Sequence, residues 1–153
     1  MKTIKLTLLA TLSFLFISSF VVAQNVKAEG EAFMKAKSLE KGIVVLESGL
    51  MYKVITKGTG KTPTVNQKTT MHYHGTSIDG KVFDSSIDRG TPLSFAPSDV
   101  IKGWKEAMQL MKEGSVWEVY VPWQLAYGER GAGGGAIKPY QALVFRMEMI
   151  KVL

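Results

Sequence analysis

Residues 69–86 read Thr69-Thr70-Met71-His72-Tyr73-His74-Gly75-Thr76-Ser77-Ile78-Asp79-Gly80-Lys81-Val82-Phe83-Asp84-Ser85-Ser86, and this stretch decides the fold. Successive side chains of a strand point to opposite faces. Thr69 to Ser77 therefore puts Met71, Tyr73 and Gly75 on one face, expected to be the buried one, and His72 and His74 on the other. Asp79-Gly80 is a strong hairpin-turn signal. Val82 to Ser86 follows as the return strand.

Working outward, Leu50 to Thr56 is a strand candidate ended by Lys57-Gly58-Thr59-Gly60. Pro92 to Phe95 is a short one. Val116 to Val121 alternates, with Trp117, Val119 and Val121 on one face. Leu143, Phe145, Met147 and Met149 do the same later. Between them, Ser98 to Met111 predicts the domain's helix. Trp104, Ala107, Met108 and Met111 share one of its faces. Ser98 or Asp99 can cap its start, and Gly114 lies just past its end. These elements predict an α+β fold, an antiparallel sheet wrapped on one short helix. No internal repeat is visible.

The compact domain is expected over residues 44–153. Before it, residues 24–43 form a short spacer. Ala28, Ala32, Ala36 and Leu39 give residues 24–41 a helical period with a thin apolar stripe, and Gly42 stops it. Residues 1–23 combine basic Lys2 and Lys5, an uncharged apolar run from Leu6 to Val22, and small Ala23 before Gln24-Asn25. That order of parts predicts a secretory signal peptide cleaved after Ala23, hence a periplasmic or secreted protein with no membrane contact after cleavage. An uncleaved anchor is the alternative, since the apolar run approaches the roughly 20 residues that span a bilayer.

The formal net charge of +6 drops to +4 without Lys2 and Lys5, too mild to argue for nucleic acid. The chain has no Cys, which excludes a disulfide scaffold, a thiolate metal site and a cysteine nucleophile. His72 and His74 share a strand face and could seat a metal, but a plain surface pair is the more ordinary reading. Asp84-Ser85-Ser86 lacks the elbow of a serine hydrolase. Gly131 to Ala136 is glycine-rich without a following Gly-Lys-Ser/Thr or helix, which argues for a loop rather than a phosphate cradle. No cofactor or metal is expected. What remains is aromatic: Tyr73, Phe83, Trp104, Tyr127 and Phe145, spread over different elements of one small domain. Taken singly, each reads as ordinary core.

The pattern around them is more specific. The segments are Met71-His72-Tyr73-His74-Gly75, Asp79 to Ser86, Asp88-Arg89-Gly90-Thr91-Pro92, Val100-Ile101-Lys102-Gly103-Trp104, Leu125-Ala126-Tyr127-Gly128 and Ala142-Leu143-Val144-Phe145. In this order and spacing they resemble the FKBP family of peptidyl-prolyl isomerases over roughly residues 49–153. The resemblance implies catalysis of Xaa-Pro isomerisation in proline-containing unfolded or exported polypeptides, and a pocket that takes macrolide inhibitors. It implies catalytic roles for Tyr73, Phe83, Asp84, Trp104, Tyr127 and Phe145, with Trp104 as the floor. Substrate-binding roles fall to Arg89, Leu93, Val100, Ile101 and Ile137. The Ile101 N–H and the Tyr127 hydroxyl hold peptide carbonyls, Arg89 orients Asp84, and Ile137 lies on an overhanging loop. A non-catalytic chaperone or peptide-binding module of the same fold is the alternative.

Four positions depart from the family. Leu93 stands where many members carry Phe, which bears on macrolide affinity. Lys102 stands where bacterial relatives often carry Pro. Ala96-Pro97-Ser98 is a shortened segment, and Lys138-Pro139 replaces paired prolines. Glu29-Gly30-Glu31-Ala32-Phe33 followed by Ser48 to Val54 resembles the junction in bacterial Mip-like members. Fewer than 30 residues separate Ala23 from Leu50, so their dimerisation domain is expected to be missing and the protein to be a monomer.

Overall fold

The computed structural model describes residues 22–153. The signal-peptide and cleavage expectation for residues 1–23 lies outside them, save for Val22 and Ala23. The chain is helical from residue 22, the first described, to residue 38; this is α1. Seven strands and one further helix follow: β1 (Ile43–Val45), β2 (Met51–Thr56), β3 (Thr69–Ser77), β4 (Val82–Ser85), β5 (Leu93–Phe95), α2 (Lys102–Met108), β6 (Val116–Val121) and β7 (Leu143–Val152).

The strands make one antiparallel sheet in the order β1-β2-β6-β7-β3-β4, with β5 also on β3. One edge of β3 is shared. Thr69 to Met71 pair with β5, while His74 to Thr76 pair with β4. The other edge runs along β7 for its whole length, from Thr69–Val152 to Ser77–Leu143. Alternation along β3 sorts the side chains as the sequence predicts: Met71 and Tyr73 are buried, while His72 and His74 are half-exposed. The two imidazoles engage the return strand, His72 Nδ1 at 3.1 Å from Ser86 Oγ and His74 Nδ1 at 2.9 Å from Ser85 Oγ.

Helix α2 lies on the concave face and seals it. Trp104, Ala107 and Met108 join Met71, Tyr73, Val119, Val121, Leu143, Phe145 and Met147 in one apolar cluster. Its close approach depends on Gly103, where a Cβ would stand 2.6 Å from Val121 Cγ1.

The helix is shorter than the sequence predicts. Pro97–Asp99 form a single 3₁₀ turn, Val100 and Ile101 are extended, and the α-helix begins only at Lys102. Asp99 does not cap α2; its Oδ2 accepts the Ala96 N–H at 3.0 Å and closes the turn before it. Two consecutive β-branched residues favour the extended backbone there. The last predicted turn is missing too, since Gln109 ends α2 and Met111 packs into the core from beyond it.

Helix α1 ends at residue 38 rather than 41, and it rests on the domain. Gly30 is buried, and a Cβ there would lie 3.2 Å from Ala142 Cβ. Phe33 meets Tyr120 with ring centroids 6.2 Å apart. Lys27 Nζ lies 5.4 Å from the Trp123 ring and 5.7 Å from the Tyr140 ring. A glycine contact and cation–π contacts replace the apolar stripe that α1 lacks.

Candidate active site

Between α2, β4, β5 and Tyr127 lies an open cleft of about 360 Å³. Its floor is Trp104, which sits at the first turn of α2 and meets three rings. Tyr73 from β3 stands edge-on at 5.1 Å, Phe145 from β7 edge-on at 5.0 Å, and Phe95 from β5 tilted at 5.4 Å. Phe83 from β4 stands at 87° to Phe145, with centroids 5.6 Å apart. Edge-to-face packing of this kind fixes ring orientation. It needs Gly75, which pairs with Phe145 across the ladder. A Cβ on Gly75 would come within 2.8 Å of both the Phe83 and Phe145 rings.

One polar cluster breaks the apolar wall. The Tyr73 hydroxyl donates to Asp84 Oδ2 at 2.5 Å. Arg89 Nη1 donates to Asp84 Oδ1, and Arg89 Nη2 donates to the Tyr73 hydroxyl at 3.0 Å. Burial alone pushes the Asp84 carboxyl up, but the hydrogen bonds from Tyr73 and Arg89 and the guanidinium charge outweigh it, so it titrates below the ordinary carboxylate value. Burial and the Asp84 carboxylate raise the Tyr73 hydroxyl. The Tyr127 hydroxyl is raised for the same two reasons. Across the neutral range the cluster thus holds a carboxylate, a guanidinium and two protonated phenols.

Three donors of cleft-lining residues have no acceptor among the described residues. They are the Ile101 N–H, the Tyr127 hydroxyl and the buried Trp104 Nε1–H. The Ile101 amide is free because the chain is extended just before α2, and the first amides of a helix have no partner within it.

The cleft brings together Tyr73, Phe83, Asp84, Leu93, Val100, Ile101, Trp104, Tyr127 and Phe145. Arg89 stands behind Asp84 rather than on the wall. Ile137 does not line the cleft; it is buried, packs in the core cluster and bridges to Ala132 across the glycine-rich loop. Phe95 and Asp99 line the cleft and were not anticipated. Phe95 was within reach of the sequence, since it lies two residues after Leu93 on the same strand face.

The family model for the FKBP-type peptidyl-prolyl cis-trans isomerase matches residues 59–150. The chain belongs to this family. A second model, for the domain amino terminal to FKBP-type peptidyl-prolyl isomerase, matches residues 20–54 and so covers α1. The chain is 51% identical over 130 residues to the outer membrane protein MIP of Legionella longbeachae, covering 85% of this chain and 55% of that one. It is 48% identical over 124 residues to the peptidyl-prolyl cis-trans isomerase Mip of Coxiella burnetii, covering 81% and 54%. The chain therefore spans little more than half the length of these two relatives. The crystal structure of FkpA from Escherichia coli superposes with a TM-score of 0.87 at 35% identity, over 97% of this chain and 71% of that one. The α+β fold predicted from periodicity, an antiparallel sheet wrapped on one short helix, which the family resemblance implies is a curled half-barrel, is the fold of this FKBP-type chain.

Proposed function

We propose that this FKBP-type chain is a peptidyl-prolyl cis-trans isomerase that accelerates the folding of exported, proline-containing polypeptides. The observation that carries the reading is the cleft itself: an aromatic floor and walls, with unpaired donors at Ile101 and Tyr127 and the Asp84 carboxylate held by Tyr73 and Arg89.

Rotating an Xaa-Pro amide means breaking its conjugation, a barrier of about 18–20 kcal/mol. The planar amide separates charge between oxygen and nitrogen, and the twisted one separates less. A dry aromatic cleft therefore raises the ground state more than the transition state. No proton moves and no nucleophile is needed, which matches a site of rings and hydrogen-bond donors. The proline ring rests on Trp104 between Tyr73, Phe83 and Phe145. The Ile101 N–H and the Tyr127 hydroxyl each hold a peptide carbonyl. Asp84, oriented by Arg89 and Tyr73, contacts the twisting bond, and Leu93 and Val100 complete the walls. Macrolides compete for the same cleft, with affinity limited by aliphatic Leu93.

The reading includes export, with residues 1–23 cleaved after Ala23, and a monomeric mature protein; intact mass and light scattering check these. Among the described residues no helix is long and apolar enough to cross a membrane. The activity test is a protease-free isomerisation assay on a proline tetrapeptide with and without a macrolide. Turnover that the macrolide inhibits is expected. Absence of rate enhancement with retained binding to unfolded protein would favour a non-catalytic chaperone.

A further inference from the structure

A second cleft, of about 400 Å³, lies on the other side of Phe83, which lines both. Its walls come from three places. Val26 and Glu29 belong to α1, Ser77 to Val82 to the β3–β4 hairpin, and Gly135 to Ala142 to the segment after the glycine-rich loop. Gly30 sets the first wall, because its contact with Ala142 brings that side of α1 down beside the loop.

Strand β4 connects the clefts. Asp84 faces the first, Phe83 both, and Val82 and Lys81 the second. β4 ends the sheet order, pairing with β3 on one side only. Its outer edge pairs with no strand among the described residues, the kind of edge to which an extended chain can add. At about 3.3 Å per residue, a peptide needs roughly three or four residues to pass from the first cleft into the second along this edge. The first cleft is mainly apolar, whereas the second mixes apolar side chains with charged and polar ones in similar measure. Asp79 is held internally by the Ser77 hydroxyl at 2.5 Å and the Lys81 N–H at 3.2 Å. The charged ends of Glu29, Lys81 and Lys138 enter no ion pair among the described residues.

We infer that the second cleft is an extended subsite for the polypeptide segment flanking the proline, which runs along the outer edge of β4 and past Phe83 to lie between α1 and the hairpin. This rests on the peptide occupying the first cleft, as in the proposed function. It gives α1 a part in substrate recognition, as the wall that completes a groove the isomerase domain alone leaves open. A groove that mixes apolar surface with free charges of both signs suits varied unfolded segments better than one defined sequence.

The test is equilibrium binding by fluorescence anisotropy, so that it does not depend on turnover. The full chain is titrated with a proline tetrapeptide and with peptides lengthened by about four residues on either side. The longer peptide of one direction is expected to bind about tenfold tighter. Glu29→Trp and Ala136→Trp fill the second cleft without touching the first. Each is expected to abolish that gain while leaving tetrapeptide affinity within about twofold. A spin label at the far end of the long peptide should broaden the amide signals of Glu29, Lys81 and Val82 in the unaltered chain, a readout that needs no variant to fold. No gain with length, a gain that survives both substitutions, or no broadening at those residues would overturn the inference. Failure of tetrapeptide turnover with length-dependent binding intact would instead count against the isomerase reading alone.

Discussion

The Phe83 ring separates two clefts of similar size and different character, one mainly apolar and one mixed. On one side aromatic rings from β3, β4, β7 and α2 lock one another edge to face, with the β5 ring tilted against the floor and the Asp84 carboxylate set in the wall. On the other, lysines, a glutamate and a turn aspartate line a groove between α1 and a hairpin. The difference separates two tasks. Lowering an amide rotation barrier calls for fixed, dry surroundings, whereas holding the flanking chain calls for adaptable polar ones. Strand β4 serves both because alternation and its open edge let neighbouring residues reach different clefts.

The sharpest way to break the contrast is to remove the shared ring. Phe83→Ala should cost on the order of a hundredfold in kcat/KM on a tetrapeptide, equivalent to about 3 kcal/mol of lost transition-state stabilisation. Asp84→Ala should approach that loss. Steady-state assays of both variants, with circular dichroism to verify folding, check this. Gly75→Val attacks the wall from beneath. Its side chain collides with the Phe83 and Phe145 rings, so thermal unfolding should show a loss of about 1–3 kcal/mol, with reduced turnover. Tyr127→Phe removes one hydrogen bond and leaves the ring. A three- to tenfold drop in kcat/KM is expected, about 1 kcal/mol.

The smallest effect is that of pH. The folded carboxyl of Asp84 titrates below its ordinary value. Its contribution to stability is therefore present at neutral pH and is lost as pH falls through the folded value, below about pH 4. A pH series of kcat/KM should be flat between about pH 6 and 8. A bell-shaped profile there would signal a proton-transfer step that the cleft does not provide.

Much of the first cleft was legible because its residues obey simple periods. Tyr73 and Phe145 fall on the inward phase of long alternating strands, and Trp104 lies on the apolar face of the helix. The residue roles came with the family resemblance, since alternation alone cannot tell a pocket wall from a core. Phe95 was missed because strand alternation does not tell a pocket wall from a core, and Asp99 because a single 3₁₀ turn is too short to show a period. The same brevity hid β1. The helix start was misplaced because Ser98 and Asp99 look like caps, while Val100 and Ile101, just beyond, keep the backbone extended. The second cleft was not legible at all. Its α1 wall depends on Gly30 against Ala142 and Lys27 over two rings, contacts distant in sequence and made by residues that carry no apolar pattern.

The central claim is that the aromatic cleft around Phe83 rotates the Xaa-Pro bond and does more than hold it. Exchange spectroscopy on a labelled proline peptide measures cis–trans interconversion directly at equilibrium. The unaltered chain at substoichiometric concentration should raise the exchange rate well above that of the free peptide, and Phe83→Ala should return it close to the uncatalysed value. Saturable peptide binding with no change in exchange rate would contradict the account.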